Sequence, residues 1–172
     1  MRTGTPDTRL IMLRGNSGSG KSTVADELRR RYGRGIAIVG QDNVRRIVLK
    51  EATPGLTTVG LVDVMARHIL DQGWHVIVEG IYGAHRYSDA LRALAADHVG
   101  TTACFYFDLS FEETVRRHAT RAKAGSFGAD DMRGWWRPDD VIDGLGEKTI
   151  GAGQTMPEIA DMVMTAVGLD VR

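Results

Sequence analysis

The chain has 172 residues, 42% hydrophobic and 26% charged, with 22 basic and 22 acidic side chains and a formal net charge of zero. That length suits one domain with a real core, and the balanced charge argues against a broad nucleic-acid-binding face. The single cysteine, Cys104, excludes an internal disulfide and points to a buried, inert thiol and the cytoplasm, and no apolar run approaches membrane length.

Met1 to Thr8 is short, polar and contains Pro6; it is expected to be a loose tail rather than a signal peptide. Arg9 to Leu13 reads as a buried strand. Lys21 to Tyr32 reads as a helix, with Val24, Ala25 and Leu28 on one face. Ile36 to Val39 is a second strand, followed by a helix from about Asn43 to Lys50 that Thr53-Pro54-Gly55 breaks. A long helix over Leu56 to Gln72 ends at Gly73. His75 to Glu79 is the third strand, Arg86 to Asp97 a helix, and Thr102 to Phe107 the fourth strand.

A helix from Ser110 to about Thr120 opens with capping-box spacing to Glu113. Residues 121–146 are rich in Gly, Arg, Asp and Trp without an apolar period, which predicts a mobile flap. Glu147 to Ile150 is a short fifth strand, and Thr155 with Glu158 caps a last helix reaching about Val167. Strands alternating with long helices imply a parallel sheet in a three-layer αβα sandwich with right-handed crossovers.

Gly15-Asn16-Ser17-Gly18-Ser19-Gly20-Lys21-Ser22 fits G-x-x-x-x-G-K-[ST] and lies between a strand and a helix. The glycines allow backbone angles that a Cβ forbids, so that N–H groups turn inward around a phosphate at a helix N-terminus. Lys21 supplies a point charge for the outer phosphates, and the Ser22 hydroxyl is placed for Mg²⁺. A flexible Gly/Ser linker is the bland alternative, and the lysine, the hydroxyl and both flanking elements argue against it.

Ligands of such sheets bind beyond the carboxyl ends of the strands. Those ends carry Arg14-Gly15, Gln41-Asp42, Glu79-Gly80 and Asp108. Asp42 is either a base for an acceptor hydroxyl or the N-cap of the following helix, and the two roles can coexist. Arg45 and Arg46 either bind an anionic group on acceptor or product or form an exposed helix face. Glu79 is favoured over Asp108 as the carboxylate for Mg²⁺, directly or through a water, or for a substrate hydroxyl. Tyr82 and His85 are candidates for the acceptor pocket, although a lone histidine in such a loop is more often simply exposed.

Arg116, Arg117, Arg121, Lys123, Arg133 and Arg137 form a basic cluster. Arg117 and Arg121 share a helix face, where two guanidinium forks either grip a polyphosphate or are simply solvated. Trp135-Trp136 either clamps a flat substrate or anchors the flap, the anchor being favoured.

With these residues in place the chain resembles the small P-loop kinases, a group of gluconate kinases, chloramphenicol phosphotransferases, tunicamycin-resistance proteins, zeta-toxin-like kinases and polynucleotide kinase domains. The likeness covers nearly the whole chain. It rests on the loop Gly15 to Thr23 and on Asp108 to Arg121. It implies a P-loop NTPase sheet of five strands in the order 2-3-1-4-5, with the loop strand central. It also implies a lid over about residues 121–138 closing on ATP, with Arg117 and Arg121 at the adenine and phosphates. Asp42 takes the place of the acceptor-side general base, and residues 151–155 border the adenine. The chain departs from the group in having Glu79 rather than Asp on its third strand and no Cys₄ zinc pattern in the lid.

Two classes of function follow. The leading one is an ATP- and Mg²⁺-dependent kinase acting on a hydroxyl of a small molecule such as a sugar, antibiotic or nucleoside. Its catalytic set is Lys21, Asp42, Arg117 and Arg121, and Asp42, Arg45, Arg46, Glu79 and Tyr82 form the acceptor side. A nucleotide or polynucleotide 5′-hydroxyl kinase is the rival within that class, although the neutral charge weighs against long nucleic acid. A regulatory ATPase switch without acceptor is the second class. No membrane partner is expected.

Overall fold

The computed structural model describes residues 1–53, 55–119 and 128–170. Five strands form one sheet: β1 (Arg9–Gly15), β2 (Ile36–Gly40), β3 (His75–Gly80), β4 (Thr101–Phe107) and β5 (Lys148–Ile150). They lie in the order β2-β3-β1-β4-β5, and every pairing is parallel. The helices are α1 (Lys21–Tyr32), α2 (Leu56–Asp71), α3 (Ala84–Asp97), α4 (Phe111–Ala119), α5 (Ala129–Trp135) and α6 (Met156–Val167).

The central strand is apolar along nearly its whole length because both of its faces are covered. Ile11 and Leu13 join Ile77, Phe105 and Phe107 under α1 and α6. Leu10 and Met12 join Val76, Val78 and Cys104 under α2 and α3. Burial pushes the Cys104 thiol up to about 12, so it is a core methyl-like group rather than a nucleophile.

Side chains alternate along a strand. Val76 and Val78 face α2 and α3, whereas Ile77 faces α1. Glu79 therefore shares the face of Ile77, toward the start of α1. That alternation brings a carboxylate from β3 to the end of the glycine loop.

Four expectations need correction. The tail is not loose. Thr3 and Thr8 are 3% and 1% exposed, and Thr3 pairs in parallel with His98. The Thr3 hydroxyl donates to Asp71 at 2.7 Å, and the Gly4 N–H donates to the same oxygen at 2.7 Å. Segments too short to form a strand still docked here because Asp71 and His98 offer polar partners.

The helix expected from Asn43 to Lys50 is a π-helical segment over Asn43–Val48. The Leu49 N–H bonds to the Val44 carbonyl at 2.9 Å, the five-residue spacing of that geometry. Val44 is buried, while Ile47 and Val48 are exposed.

The flap is in part ordered. Residues 129–135 form α5, which no apolar period announced. Its Met132 is buried, as are Ile142 and Leu145 further on. The stretch from 136 to 146 is thus anchored to the body of the fold. Among the described residues no helix is long and apolar enough to cross a membrane.

The fourth correction concerns Tyr82, which is fully buried. Its hydroxyl donates to the Val39 carbonyl at 3.2 Å, and its ring packs edge-on against Tyr87 at 4.9 Å. It is a core residue and does not line an acceptor pocket.

Candidate functional site

The glycine loop runs from the end of β1 into α1. Gly15, Gly18 and Gly20 have φ of 141°, 81° and 107°, values that a side chain rarely adopts. A Cβ on Gly18 would stand 2.5 Å from the Thr114 carbonyl oxygen and 3.0 Å from the Met132 methyl. The loop is therefore pressed against α4 and α5 and needs glycine there on two counts. Ser19 is buried and Ser17 half-buried. The Lys21 ammonium donates to the Asn16 carbonyl at 2.7 Å and to the Ser19 hydroxyl at 3.0 Å. It is held against the loop, where an outer phosphate would replace neutral acceptors with charged oxygens.

Ser22 and Thr23 are exposed at the first turn of α1. The Ser22 hydroxyl donates to Glu79 Oε2 at 3.0 Å. Burial raises the Glu79 carboxyl above its ordinary range; Lys21 and the Ser22 bond oppose that, and Asp42 adds to it. A half-buried carboxylate beside a hydroxyl is an all-oxygen donor set of the kind Mg²⁺ takes, with waters completing its shell. The residues present fit that ion.

On the other side of the loop lies a cavity of about 750 Å³, bordered by Ser17 of the loop and by Asp42. That volume is in the range of small-ligand sites. Asp42 is not an N-cap. It already has helical angles, makes no capping bond, and its side chain is 58% exposed. Its Oδ1 accepts from Arg45 and Arg46 at 3.3 Å each. The Arg45 guanidinium is largely buried and also donates to the Ala52 carbonyl at 2.6 Å. Gln41 joins this wall to the next strand: its Oε1 accepts from the Ile81 N–H at 2.9 Å, and its Nε2 donates to the Tyr87 hydroxyl at 2.9 Å. His85 is exposed at the rim of the cavity, which Lys50, Arg86 and Tyr87, not singled out from the sequence, also border.

Arg117 reaches the loop from α4. It donates to the Ser19 carbonyl at 3.0 Å, to the Ala152 carbonyl at 3.2 Å and to Glu113 at 2.6 Å. It therefore stands between the phosphate loop and the segment expected to border a base. Arg116 and then Arg117 hold the Glu113 carboxyl down to about 2. Arg121 and Lys123 lie outside the described residues, as does most of the first half of the lid. Arg133 stacks 4.0 Å over the Phe111 ring, and Trp136 meets the same ring edge-on at 6.1 Å. Trp136 is thus an anchor, while Trp135 borders the cavity. Asp108 is exposed just past the end of β4, which lies across β1 from the β3 strand that carries Glu79.

Arg14 was expected at the crevice and is instead fully buried. It bonds to Glu147 at 2.7 Å, to Asp140 at 3.2 Å and to the Tyr82 carbonyl at 2.8 Å and 3.0 Å. A cation ending an otherwise apolar central strand requires buried counter-charge, and that requirement was the available signal. The site it braces is the mouth of the loop.

A parallel 2-3-1-4-5 sheet whose central strand feeds a glycine loop and a helix N-terminus is the architecture of P-loop nucleotide-binding proteins. The family model described as an AAA domain matches residues 10–133, and the chain belongs to that family. No curated protein matches the sequence. The fold is similar to that of APS kinase from Mycobacterium tuberculosis, solved in complex with AMPPNP and APS, at a TM-score of 0.70, 21% identity and coverage of 95% of this chain and 99% of that one. A gluconokinase from Sinorhizobium meliloti 1021 is similar at a TM-score of 0.65 and 18% identity, over 98% and 94% of the two chains. The tunicamycin resistance protein of Deinococcus radiodurans is similar at 0.63 and 15% identity, over 95% and 98%.

Proposed function

We propose that this protein is a kinase that transfers the γ-phosphoryl group of Mg·ATP to a hydroxyl of a small molecule. One observation carries the reading: the phosphate loop and an exposed carboxylate, Asp42, border the same cavity of about 750 Å³. Phosphoryl transfer needs little covalent chemistry from the protein, so placement and charge do most of the catalysis. Structural neighbours described as APS kinase and gluconokinase support a small-molecule acceptor.

The loop amides and Lys21 hold the phosphates, and Arg117 adds positive charge beside Ser19. A Mg²⁺ ion held by Ser22 and Glu79, directly or through water, would neutralise charge on the β- and γ-oxygens. Asp42 orients the acceptor hydroxyl and takes its proton as that oxygen bonds to the γ-phosphorus. The bond from phosphorus to the bridging oxygen breaks, and ADP leaves with the electron pair. Arg121, four residues beyond Arg117, is proposed to close over the phosphates with the lid, and Arg45 to steer Asp42.

The test is ADP release in the presence of a panel of sugars, nucleosides and hydroxylated antibiotics. At least one should stimulate turnover, Lys21→Ala should abolish it with the fold intact, and Asp42→Asn should lower turnover more than ATP affinity. Steady ATP hydrolysis that no hydroxyl compound stimulates would instead mark a regulatory ATPase.

A further inference from the structure

The chain carries no net charge, yet the cavity beside the loop does. Five cations, Arg45, Arg46, Lys50, Arg86 and Arg137, border it against three carboxylates, Asp42, Glu51 and Asp131. Two of those carboxylates take their hydrogen bonds from neutral donors, and Glu51 also feels the charge of Arg45. Glu51 accepts from the Thr58 hydroxyl and from the Gly55 N–H at 3.3 Å. Asp131 accepts from the Gly128 N–H at 2.9 Å. Asp42 pairs with Arg45 and Arg46 at 3.3 Å each. The Arg137 guanidinium donates to the carbonyls of Gly134 and Trp136 at 3.3 Å and 3.0 Å, which orient it without neutralising it.

Gathering cations around one concavity has an electrostatic cost, and a bound anion relieves it. The placement is also selective. Arg46 and Lys50 come from the π-helical segment and its end, and Arg86 from the first turn of α3. Lys50 has φ of 54°, an uncommon angle for a lysine.

We propose, on the basis of the kinase reading, that the acceptor carries a permanent negative charge in addition to the hydroxyl it offers. The group is a phosphate, sulfate or carboxylate, and Arg46, Lys50 and Arg86 hold it while Asp42 meets the hydroxyl. An uncharged sugar or nucleoside leaves the excess charge uncompensated and binds weakly.

Calorimetric titration of the protein loaded with Mg²⁺ and a non-hydrolysable ATP analogue tests this. The probes are pairs that differ in charge: glucose against gluconate for a carboxylate, and adenosine against adenosine 3′-phosphate for a phosphoanion. At least one charged member should bind roughly ten-fold or more tightly than its neutral partner. The advantage should shrink as salt is raised, because exposed charges are screened. Lys50→Gln and Arg86→Gln should each remove most of it, with thermal denaturation confirming that each variant is folded. If neither charged probe outbinds its partner, including the case where none of the four binds, the inference is wrong. Lys21-dependent phosphorylation of neutral alcohols in preference to charged ones would keep the kinase reading and sink this one.

Discussion

The side-chain amide of Asn16 and the backbone of Arg137 hold each other twice. Asn16 Nδ2 donates to the Arg137 carbonyl at 2.7 Å, and the Arg137 N–H donates to Asn16 Oδ1 at 2.8 Å. A residue of the phosphate loop thus faces outward, onto the segment that follows α5. The pair ties the phosphate loop to the stretch that follows α5.

Asn16→Ala removes the partner of both backbone groups of Arg137 at a part-buried contact, with Asn16 6% exposed and Arg137 exposed, so the loss should fall at the low end of the usual range. Leaving buried polar groups unpaired costs about 1–3 kcal/mol. For a chain of this size each kcal/mol lowers the melting temperature by roughly 2–4 °C. Asn16→Asp replaces the donor with a carboxylate oxygen facing the Arg137 carbonyl, so it should lose at least as much as Asn16→Ala. Thermal denaturation measures both. A melting temperature unchanged in Asn16→Ala would show that the pair couples nothing.

Arg14 makes a second, deeper tie. Its side chain is fully buried and Glu147 nearly so, with the two bonded at 2.7 Å. Removing one partner of a buried ion pair leaves a bare charge and costs about 3–5 kcal/mol. Arg14→Met should show that loss in chemical denaturation. Arg14→Met with Glu147→Leu should lose clearly less than the two single changes added together, because no unpaired charge remains at Glu147. Additive losses would mean that the two side chains do not depend on each other.

Gly18 tests whether the loop's shape is required. Gly18→Ala must accommodate a positive φ and a carbonyl oxygen 2.5 Å from its new methyl group. Turnover and melting temperature should both drop. Gly60→Ala, in α2 and away from the site, is the control, since a Cβ there meets nothing within 4 Å. Equal behaviour of the two variants would remove the steric argument for the loop.

The sheet was legible because its strands are apolar runs with glycine or a charge at each end, as in Val76-Ile77-Val78-Glu79-Gly80. The loop was legible because its residue types are dictated by backbone angles and by phosphate. What the sequence hid has one common cause. Arg14 with Glu147, Asn16 with Arg137 and Thr3 with Asp71 are pairs separated by 133, 121 and 68 positions. Local periodicity carries no information about such partners. Tyr82 misled for the same reason, because its position after a strand end resembles a pocket position while its hydroxyl is claimed by Val39. Helix α5 was missed because its inward face rests mainly on one residue, Met132.

His98 gives the fold an acid-sensitive joint. It is buried between Thr8 and Thr102, whose hydroxyls lie 2.9 Å from Nε2 and 2.8 Å from Nδ1. The Thr8 hydroxyl donates to the Thr5 carbonyl at 2.8 Å. Nε2 therefore carries the hydrogen, and Nδ1 accepts from Thr102. Burial, with a smaller contribution from Arg9, lowers the His98 pKa below its ordinary 6.5. The unfolded chain takes up a proton at about 6.5 while the folded chain resists it. Stability is then complete above that pH and is lost as pH falls from there toward the folded value. The Val99 N–H, bonded to the Thr3 carbonyl at 3.0 Å, should exchange with solvent faster as that loss sets in. Titration of the His98 ring by NMR, with exchange at Val99 followed between about pH 7.5 and 5, checks both statements. A ring that titrates at or above 6.5 would show that Thr8 and Thr102 do not seal it from water.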